Sequence, residues 1–313
     1  MNRKLRIVFM GTPDFAVPTL RSIHEAGYDV AAVVTAPDKP AGRGLQLHSS
    51  PVKDYAISQN IPVLQPIKLK DPAFLEELKS FNANIQVVVA FRMLPDVVWQ
   101  MPDLGTFNLH ASLLPDYRGA APINWAVING EKETGITTFF LKHEIDTGDI
   151  IFQEKIPIGP DENTGSVHDR LMMAGAGLVL KTLKAIEENN IKPIPQIIDH
   201  DSKPAPKLFK ENCRIDWKDK NLDDLHNFIR GLSPYPTAWT TLDGKVLKIY
   251  KTEKEAAAND KATGSIITDQ KTYLRIATNG GYLQLLELQL EGRKRIGVEE
   301  FLRGSAVKGK EVI

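Results

Sequence analysis

Residues 5–35 read LRIVFMGTPDFAVPTLRSIHEAGYDVAAVVT. Leu5–Met10 is a short apolar run that ends at a Gly-Thr-Pro turn, and Ala16–Ala26 then has apolar residues at helical spacing before Gly27. Asp29–Thr35 is a second apolar run of strand length. A strand, a helix and another strand in this order predict a βαβ unit, and therefore a parallel sheet.

The turn after the first predicted strand is Gly11-Thr12-Pro13-Asp14-Phe15, which does not match the dinucleotide pattern G-x-G-x-x-G. No acidic residue follows the second strand as a ribose ligand would. A tight βα turn is enough to explain Gly11, and we expect no dinucleotide site. The turn still lies at the carboxyl end of a strand, where ligands bind in sheets of this kind.

The alternation of helices and strands continues through residues 1–189, which predicts an α/β domain with an open, doubly wound, Rossmann-like sheet. The further predicted elements are a helix at Val52–Gln59, a strand at Ile61–Leu64, a helix at Pro72–Phe81, a strand at Ile85–Phe91, a helix at Pro95–Met101 and a helix at Thr164–Asn189. Residues 36–50, APDKPAGRGLQLHSS, form a long connection that carries Lys39 and Arg43. Such a loop either closes over an anionic partner or is a solvated surface loop.

The chain changes character after the long helix. Residues 190–207 contain four prolines and are interpreted as a linker, so the predicted second domain is 208–313. Short strands follow a helix at Leu222–Arg230, and the dipeptide Asp243-Gly244 predicts a hairpin between two of them. Several short antiparallel strands favour a small barrel. Its many basic residues suit a phosphate backbone, but interspersed acidic residues fit a merely solvated surface equally well.

The composition gives few further constraints. The chain has 313 residues, with 39 Lys plus Arg and 39 Asp plus Glu, so the overall charge does not indicate a polyanionic partner. A single cysteine, Cys213, fits a cytoplasmic protein without disulfides. Neither a signal peptide nor an apolar run long enough to cross a membrane is recognised, so no membrane partner is expected.

Three polar residues stand out in the central stretch, residues 107–151. Asn108 and His110 are two residues apart at the end of a predicted strand, and Asp146 lies on the turn EIDTGD before the next one. An amide, an imidazole and a carboxylate in one pocket suit acyl-type transfer, because the first two donate to an oxyanion and the third orients the imidazole. Without a Ser or Cys nucleophile beside a base, direct transfer between two bound substrates is favoured.

Two other interpretations of these residues remain open. A strand-end Asn often only supports a turn, and a single His is often structural. A metal site made by His110, His143, Asp146 and Asp149 is also conceivable, although their spacing matches no common metal motif.

The chain also resembles the methionyl-tRNA formyltransferases, a branch of the 10-formyltetrahydrofolate-dependent formyltransferases. The motifs that carry the resemblance are FNLHASLLPDYRGAAPINWAVINGE at 107–131, IDTGDII at 145–151, GTPDFAVPTL at 11–20 and APDKPAGRG at 36–44. The resemblance covers nearly the whole chain and implies a C-terminal barrel of the OB-like type. At Phe91–Pro95 the chain departs from the family, because Arg92 stands where a glycine is usual.

The resemblance implies transfer of a formyl group from 10-formyltetrahydrofolate to the α-amino group of methionine on initiator tRNA. Asn108, His110 and Asp146 match the catalytic positions, and Arg43 matches a loop arginine that meets the tRNA acceptor end. The positions implied for the folate-contacting turn are Ser112, Leu113, Leu114 and Pro115. Neither a metal nor a nucleotide cofactor is implied, and a monomer is expected.

Two competing functions are kept beside this one. The first is formylation of a small amine, such as an amino sugar nucleotide or glycinamide ribonucleotide, which would need neither the 36–50 loop nor a separate basic barrel. The second is an RNA-binding module without catalysis, against which the complete trio argues.

Overall fold

The structure of the protein is a computed structural model that describes residues 3–41, 46–197, 202–304 and 306–312. By contacts the chain divides into two compact units. Unit 1 comprises residues 1–118, 135–156 and 168–204, and unit 2 comprises residues 119–134, 157–167 and 205–313. Within the described ranges, no helix is both long enough and apolar enough to cross a membrane.

The helices and strands alternate along the first part of the chain and strands dominate the last part. The helices are α1 Val17–Glu25, α2 Pro51–Ser58, α3 Pro72–Ser80, α4 Asp96–Trp99, α5 Pro122–Ile128, α6 Thr164–Glu187, α7 Leu222–Leu232 and α8 Val298–Gly304. The strands up to the end of unit 1 are β1 Arg6–Gly11, β2 Asp29–Val34, β3 Lys39–Ala41, β4 Gln46–His48, β5 Val63–Leu64, β6 Ile85–Val89, β7 Thr106–His110, β8 Arg118–Gly119, β9 Glu133–Phe140, β10 Ile150–Pro157 and β11 Pro204–Ala205. The remaining strands are β12 Ala238–Leu242, β13 Lys245–Ala256, β14 Ile266–Thr268, β15 Leu274–Thr278, β16 Gly281–Leu290 and β17 Ile296–Gly297.

A seven-stranded sheet with the order β10-β9-β7-β6-β1-β2-β5 organises unit 1. Strand β1 pairs in parallel with β2 and β6, and β6 pairs in parallel with β7, which confirms the predicted α/β fold with its parallel sheet. Strand β9 runs antiparallel to β7. The carboxyl ends of β1, β6 and β7 therefore meet at one edge of the sheet, and β7 ends there at His110.

Gly11 is required at the end of β1 by close packing. A Cβ atom there would lie 2.8 Å from the Cβ of Ala16 and 3.0 Å from the carbonyl oxygen of Val89. Beyond it, buried side chains of β1 and β2 pack with α3, among them Met10, Val34 and Phe74. The apolar runs that predicted strands β1 and β2 thus form one side of this core.

An antiparallel sheet with the order β12-β13-β16-β15-β14 organises unit 2, and β17 pairs with β16. The predicted Asp243-Gly244 hairpin is confirmed, since both residues have positive φ, +50° and +75°, between β12 and β13. The core contains Trp217, Phe228 and Leu285. Ile128 of α5 packs against this core.

Helix α5 and the β3–β4 hairpin are not among the elements predicted from the sequence. Helix α5 begins with Pro122 at its first position, a recognised start signal, but it is only seven residues long. The loop at 36–50 contains the short hairpin β3–β4, in which Lys39 pairs with His48. The division into domains 1–189 and 208–313, with a linker at 190–207, stays a prediction.

Candidate active site

His110 is buried at the end of β7 and its ring has two neighbours. Its Nε2 lies 2.9 Å from the carbonyl oxygen of Tyr117, and its Nδ1 lies 4.0 Å from Oδ2 of Asp146. Because a carbonyl oxygen can only accept, Nε2 carries a proton. Nδ1 is therefore the ring nitrogen that faces Asp146, and it donates a hydrogen bond only when the imidazole is positively charged.

The carbonyl oxygen that accepts from His110 belongs to Tyr117, and hydrogen bonds hold the backbone around Tyr117 in place. Tyr117 has φ +59°, and its N–H donates to the carbonyl oxygen of Lys203 at 2.5 Å. The N–H of Lys203 in turn donates to Oδ1 of Asp116 at 3.0 Å. The orientation of the His110 ring thus depends on residues far along the chain, a dependence that the sequence gives no signal for.

Asn108 lies two residues before His110 on β7, so both side chains are on the same face of the sheet. The residue is half-buried, and its Oδ1 is fully buried without a hydrogen-bond partner among the described residues. A buried acceptor without a partner costs free energy, on the order of 1–3 kcal/mol. Such a cost at a strand end is explained if a bound molecule supplies the missing donor.

Asp146 lies on the connection between β9 and β10, which we call the Asp146 turn (residues 144–149). Asp146 has φ +55°, and Oγ1 of Thr147 donates to the carbonyl oxygen of Glu144 at 3.0 Å. The N–H of Phe140 donates to the carbonyl oxygen of Asp149 at 3.0 Å and closes the turn. Strands β7 and β9 are neighbours, so the turn brings Asp146 to His110, as predicted from the sequence.

The turn that follows β7, residues 111–117, is tied down by one threonine, Thr137 of β9. Oγ1 of Thr137 donates to the carbonyl oxygen of Ser112 at 2.6 Å and accepts from the N–H of Leu114 at 3.3 Å. Nε2 of Gln153 donates to the carbonyl oxygen of Leu114 at 2.8 Å. The predicted contact residues Ser112, Leu113, Leu114 and Pro115 therefore form a rigid turn directly after His110. The sequence does not indicate a role for Thr137 or Gln153 in this turn, because it is strand pairing that brings them beside residues 112–114.

The metal hypothesis is not supported. His143 lies 3.5 Å from Asp96, and Asp149 accepts from Lys142 at 2.7 Å, so both point to other partners. In the described parts of the chain, no group of three or more His, Cys, Asp or Glu side chains is placed to hold a metal ion.

Arg92, which departs from the family pattern, binds backbone after the end of β6. Its Nη1 donates to the carbonyl oxygen of Ile67 at 2.9 Å, and its Nη2 donates to that of Pro66. Burial lowers the pKa of its guanidinium, which nevertheless stays charged at neutral pH. Arg92 thus joins two loops at the sheet edge where β1 and β6 end.

The β3–β4 hairpin has an ordered base, although Arg43 itself lies outside the described residues. Asp38 accepts from Nζ of Lys53 at 2.5 Å and from Nε2 of Gln65 at 2.8 Å. The hydrogen bond from Lys53, followed by that from Gln65, lowers the pKa of the Asp38 carboxyl group. The two ends of the loop meet at Thr35 and Ser50, whose hydroxyl groups are 2.7 Å apart and buried.

Comparison with known proteins connects this geometry to a family. The family model described as "Formyl transferase" matches residues 5–183, and that described as "Formyl transferase, C-terminal domain" matches residues 207–306. The chain is 56% identical over 308 residues to a methionyl-tRNA formyltransferase of Bacteroides thetaiotaomicron, covering 96% of this chain and 95% of that one. It is 59% identical over 312 residues to a methionyl-tRNA formyltransferase of Phocaeicola vulgatus, covering 96% of each.

Solved structures with a similar fold are more distant in sequence. WlaRD, a sugar 3N-formyl transferase crystallised with dTDP and 5-N-formyl-THF, gives a TM-score of 0.67 at 20% identity, covering 93% of this chain and 100% of that one. HypX from Aquifex aeolicus, in complex with tetrahydrofolic acid, gives a TM-score of 0.66 at 18% identity, covering 96% of this chain and 47% of that one. At these identities the likeness establishes the fold alone.

Proposed function

The chain belongs to the methionyl-tRNA formyltransferase family, and from that premise we propose that Asn108, His110 and Asp146 act on the reacting atoms. The reaction is transfer of a formyl group from formyltetrahydrofolate to methionyl-tRNA. Within it, we propose that 10-formyltetrahydrofolate is the donor and that the acceptor is the α-amino group of methionine on initiator tRNA. The observation that carries the proposal is the alignment of Tyr117, His110 and Asp146 at the end of β7.

His110 acts through Nδ1, because Nε2 is engaged by the Tyr117 carbonyl. The Asp146 carboxylate, 4.0 Å from Nδ1, orients the imidazole ring. When both ring nitrogens carry a proton, Nδ1–H donates to the oxygen of the formyl carbonyl as negative charge develops on it. Asp146 also receives the proton that the attacking amine loses, directly or through a water molecule. The bond between the formyl carbon and N10 then breaks, and tetrahydrofolate leaves with that proton on N10.

Asn108 holds the reacting groups from the same face of the sheet. Its Nδ2 donates to the formyl oxygen beside His110. Its buried Oδ1, which has no partner among the described residues, accepts from an N–H of the attacking amine. The buried Oδ1 thus gains its missing donor when the substrates are bound.

Different segments of the chain contact the two substrates. The formyl donor supplies an electrophilic carbonyl carbon, and the turn Ser112–Pro115 contacts its folate portion. Arg43, in the segment between β3 and β4, contacts the acceptor end of the tRNA. The contacts of Asp38 with Lys53 and Gln65 support the base of the β3–β4 hairpin. The basic surface of unit 2 contacts the phosphate backbone of the tRNA.

The test uses the purified full chain with 10-formyltetrahydrofolate and methionyl initiator tRNA. Formyl-methionyl-tRNA should form with wild-type protein, and Asp146→Asn should lower kcat by about two orders of magnitude or more. The matched control is Asp149→Asn, in the same turn, where the carboxylate pairs with Lys142. Formyl transfer to glycinamide ribonucleotide or an amino sugar nucleotide, but not to methionyl-tRNA, would overturn the proposal.

A further inference from the structure

Gln196 touches the Asp146 turn from a segment that the sequence presents only as a proline-rich connection. Its Nε2 donates to the carbonyl oxygen of Asp146 at 2.9 Å and to that of Gly148 at 2.8 Å. The two residues that accept these bonds flank Thr147, so one amide group spans the centre of the turn. We propose that Gln196 is a positioning residue that sets the distance between Asp146 and His110.

The turn needs an external support because its own backbone is constrained. Asp146 occupies the left-handed region at φ +55°, a conformation that a non-glycine residue adopts at some cost. Gly148 has no room for a side chain, since a Cβ there would lie 1.5 Å from the carbonyl oxygen of Phe140. Two carbonyl groups held by one amide keep the turn in this conformation.

The support is itself anchored to the sheet of unit 1. Ile194, two residues before Gln196, exchanges two backbone hydrogen bonds of 2.8 Å with Ile150, the first residue of β10. The segment therefore runs beside the strand that leaves the Asp146 turn. Gln196 is half-buried there, and its Oε1 is buried without a hydrogen-bond partner among the described residues. Keeping a buried polar atom at this cost fits a residue retained for its two donated bonds.

The consequence for catalysis is geometric. The Nδ1–Oδ2 distance of 4.0 Å places the Asp146 carboxylate beside the His110 ring, and an outward shift of the turn lengthens that distance. Misplacement of a catalytic group by about 1 Å costs on the order of 100-fold in rate. Loss of the Gln196 bonds should therefore lower kcat, with a much smaller effect on KM.

This inference rests on the proposed function, so its experiment combines a kinetic with a non-kinetic measurement. Gln196→Met keeps the length of the side chain and removes both donors, and Gln196→Glu serves if the first variant folds poorly. The matched control is Asn259→Leu in unit 2, because Nδ2 of Asn259 also donates to two backbone carbonyl groups, those of Thr278 and Gly281.

We expect Gln196→Met to lower kcat by about 10- to 100-fold, and Asn259→Leu to leave kcat unchanged. In an Asp146→Asn background, Gln196→Met should add no further loss, since both substitutions act through the same carboxylate. Equal losses in both backgrounds, or a loss explained by the unfolded fraction, would overturn the proposal.

The non-kinetic measurement is the NMR signal of the His110 ring carbon Cε1, assigned with His110→Ala. It should move in Gln196→Met and in Asp146→Asn but stay in place in Asn259→Leu, without any substrate present. If wild-type protein transfers no formyl group while this pattern holds, the proposed function fails and the positioning role stands. An unmoved His110 signal in Gln196→Met rejects the positioning role.

Discussion

His110 and Asn108 gain their proposed roles from what their atoms contact. Nε2 of His110 donates a hydrogen bond to the carbonyl oxygen of Tyr117, so Nδ1 is the ring nitrogen that faces Asp146 and, in the proposed mechanism, the substrates. The buried Oδ1 of Asn108 has no hydrogen-bond partner among the described residues. In the proposed mechanism, His110 is thus fixed by the protein and Asn108 is satisfied by the bound substrate.

Asn108→Ala should lower kcat by about 10²–10³, because one donor to the developing oxyanion is lost. The free energy of unfolding should stay the same or rise, since a buried acceptor without a partner is removed. Steady-state formyl transfer and urea unfolding measure the two quantities. Full activity, or a loss of stability that accounts for the lower rate, would contradict the role proposed for Asn108.

His226, in unit 2, predicts a pH dependence of stability. It is buried on α7, with Nδ1 3.0 Å from Oγ1 of Thr252 and Nε2 3.3 Å from Oδ1 of Asp161. Burial lowers its pKa below the ordinary value of 6.5, and the charges of Lys254 and Arg230 lower it further, against a smaller opposing effect of Asp161. The unfolded chain therefore binds this proton more readily than the folded chain.

Stability should fall as the pH decreases below about 6.5 and level off below the folded-state pKa of His226. His226→Gln should flatten this part of the curve, whereas His143→Gln, at a side chain that is 85% exposed, should not. Urea unfolding between neutral and mildly acidic pH measures the slope. A wild-type slope retained in His226→Gln would show that other groups cause it.

At the level of elements, the Asp146 turn depends on a glycine with no space around it. Gly148→Ala would place a Cβ atom 1.5 Å from the carbonyl oxygen of Phe140, so the turn must move. We expect a loss of kcat of at least about 10-fold together with lower stability. The matched control is Gly177→Ala on α6, where a Cβ meets nothing within 4 Å.

Gly177→Ala should leave kcat unchanged and raise the free energy of unfolding by about 0.5–1 kcal/mol, because alanine is favoured in a helix interior. Kinetics and urea unfolding of the two variants, measured side by side, separate the effect on the turn from a general effect of adding a methyl group. Gly148→Ala with wild-type kcat would show that the position of the Asp146 turn is not critical.

For the whole molecule, unit 2 includes two segments, residues 119–134 and 157–167, that precede the C-terminal region in the sequence. Ile128 packs against its core, Nδ2 of Asn124 donates to the carbonyl oxygen of Gly231 at 2.8 Å, and Oγ1 of Thr164 donates to the same oxygen at 2.7 Å. Removal of residues 208–313 takes these partners away. A truncated chain is therefore not a clean test of which substrates need the C-terminal region.

A chain that ends at residue 207 should bind the dye ANS and unfold at a lower temperature than the full chain, because residues 119–134 and 157–167 lose the contacts of unit 2. Dye fluorescence and thermal unfolding measure this. A truncated chain that unfolds cooperatively at the wild-type temperature, without dye binding, would show that these segments need no contact with residues 208–313.

Much of this structure is specified locally. The apolar runs at β1, β2 and β6 predict buried parallel strands, the Asp243-Gly244 pair predicts a hairpin, and the positions of Asn108, His110 and Asp146 at the ends of strands predict a polar site. Periodicity and turn chemistry act over a few residues, so the sequence expresses them directly. The family resemblance follows from the same local motifs.

Tertiary structure alone decides the rest. The carbonyl oxygen of Tyr117 determines which ring nitrogen of His110 donates, and the Asp146 turn accepts a hydrogen bond from Gln196, 50 residues away. The grouping of 119–134 with the C-terminal region is likewise a matter of distant packing. Contacts between residues far apart in the chain leave no periodic signal in the sequence, so its local pattern locates the candidate residues, whereas only the folded chain determines which groups their atoms contact.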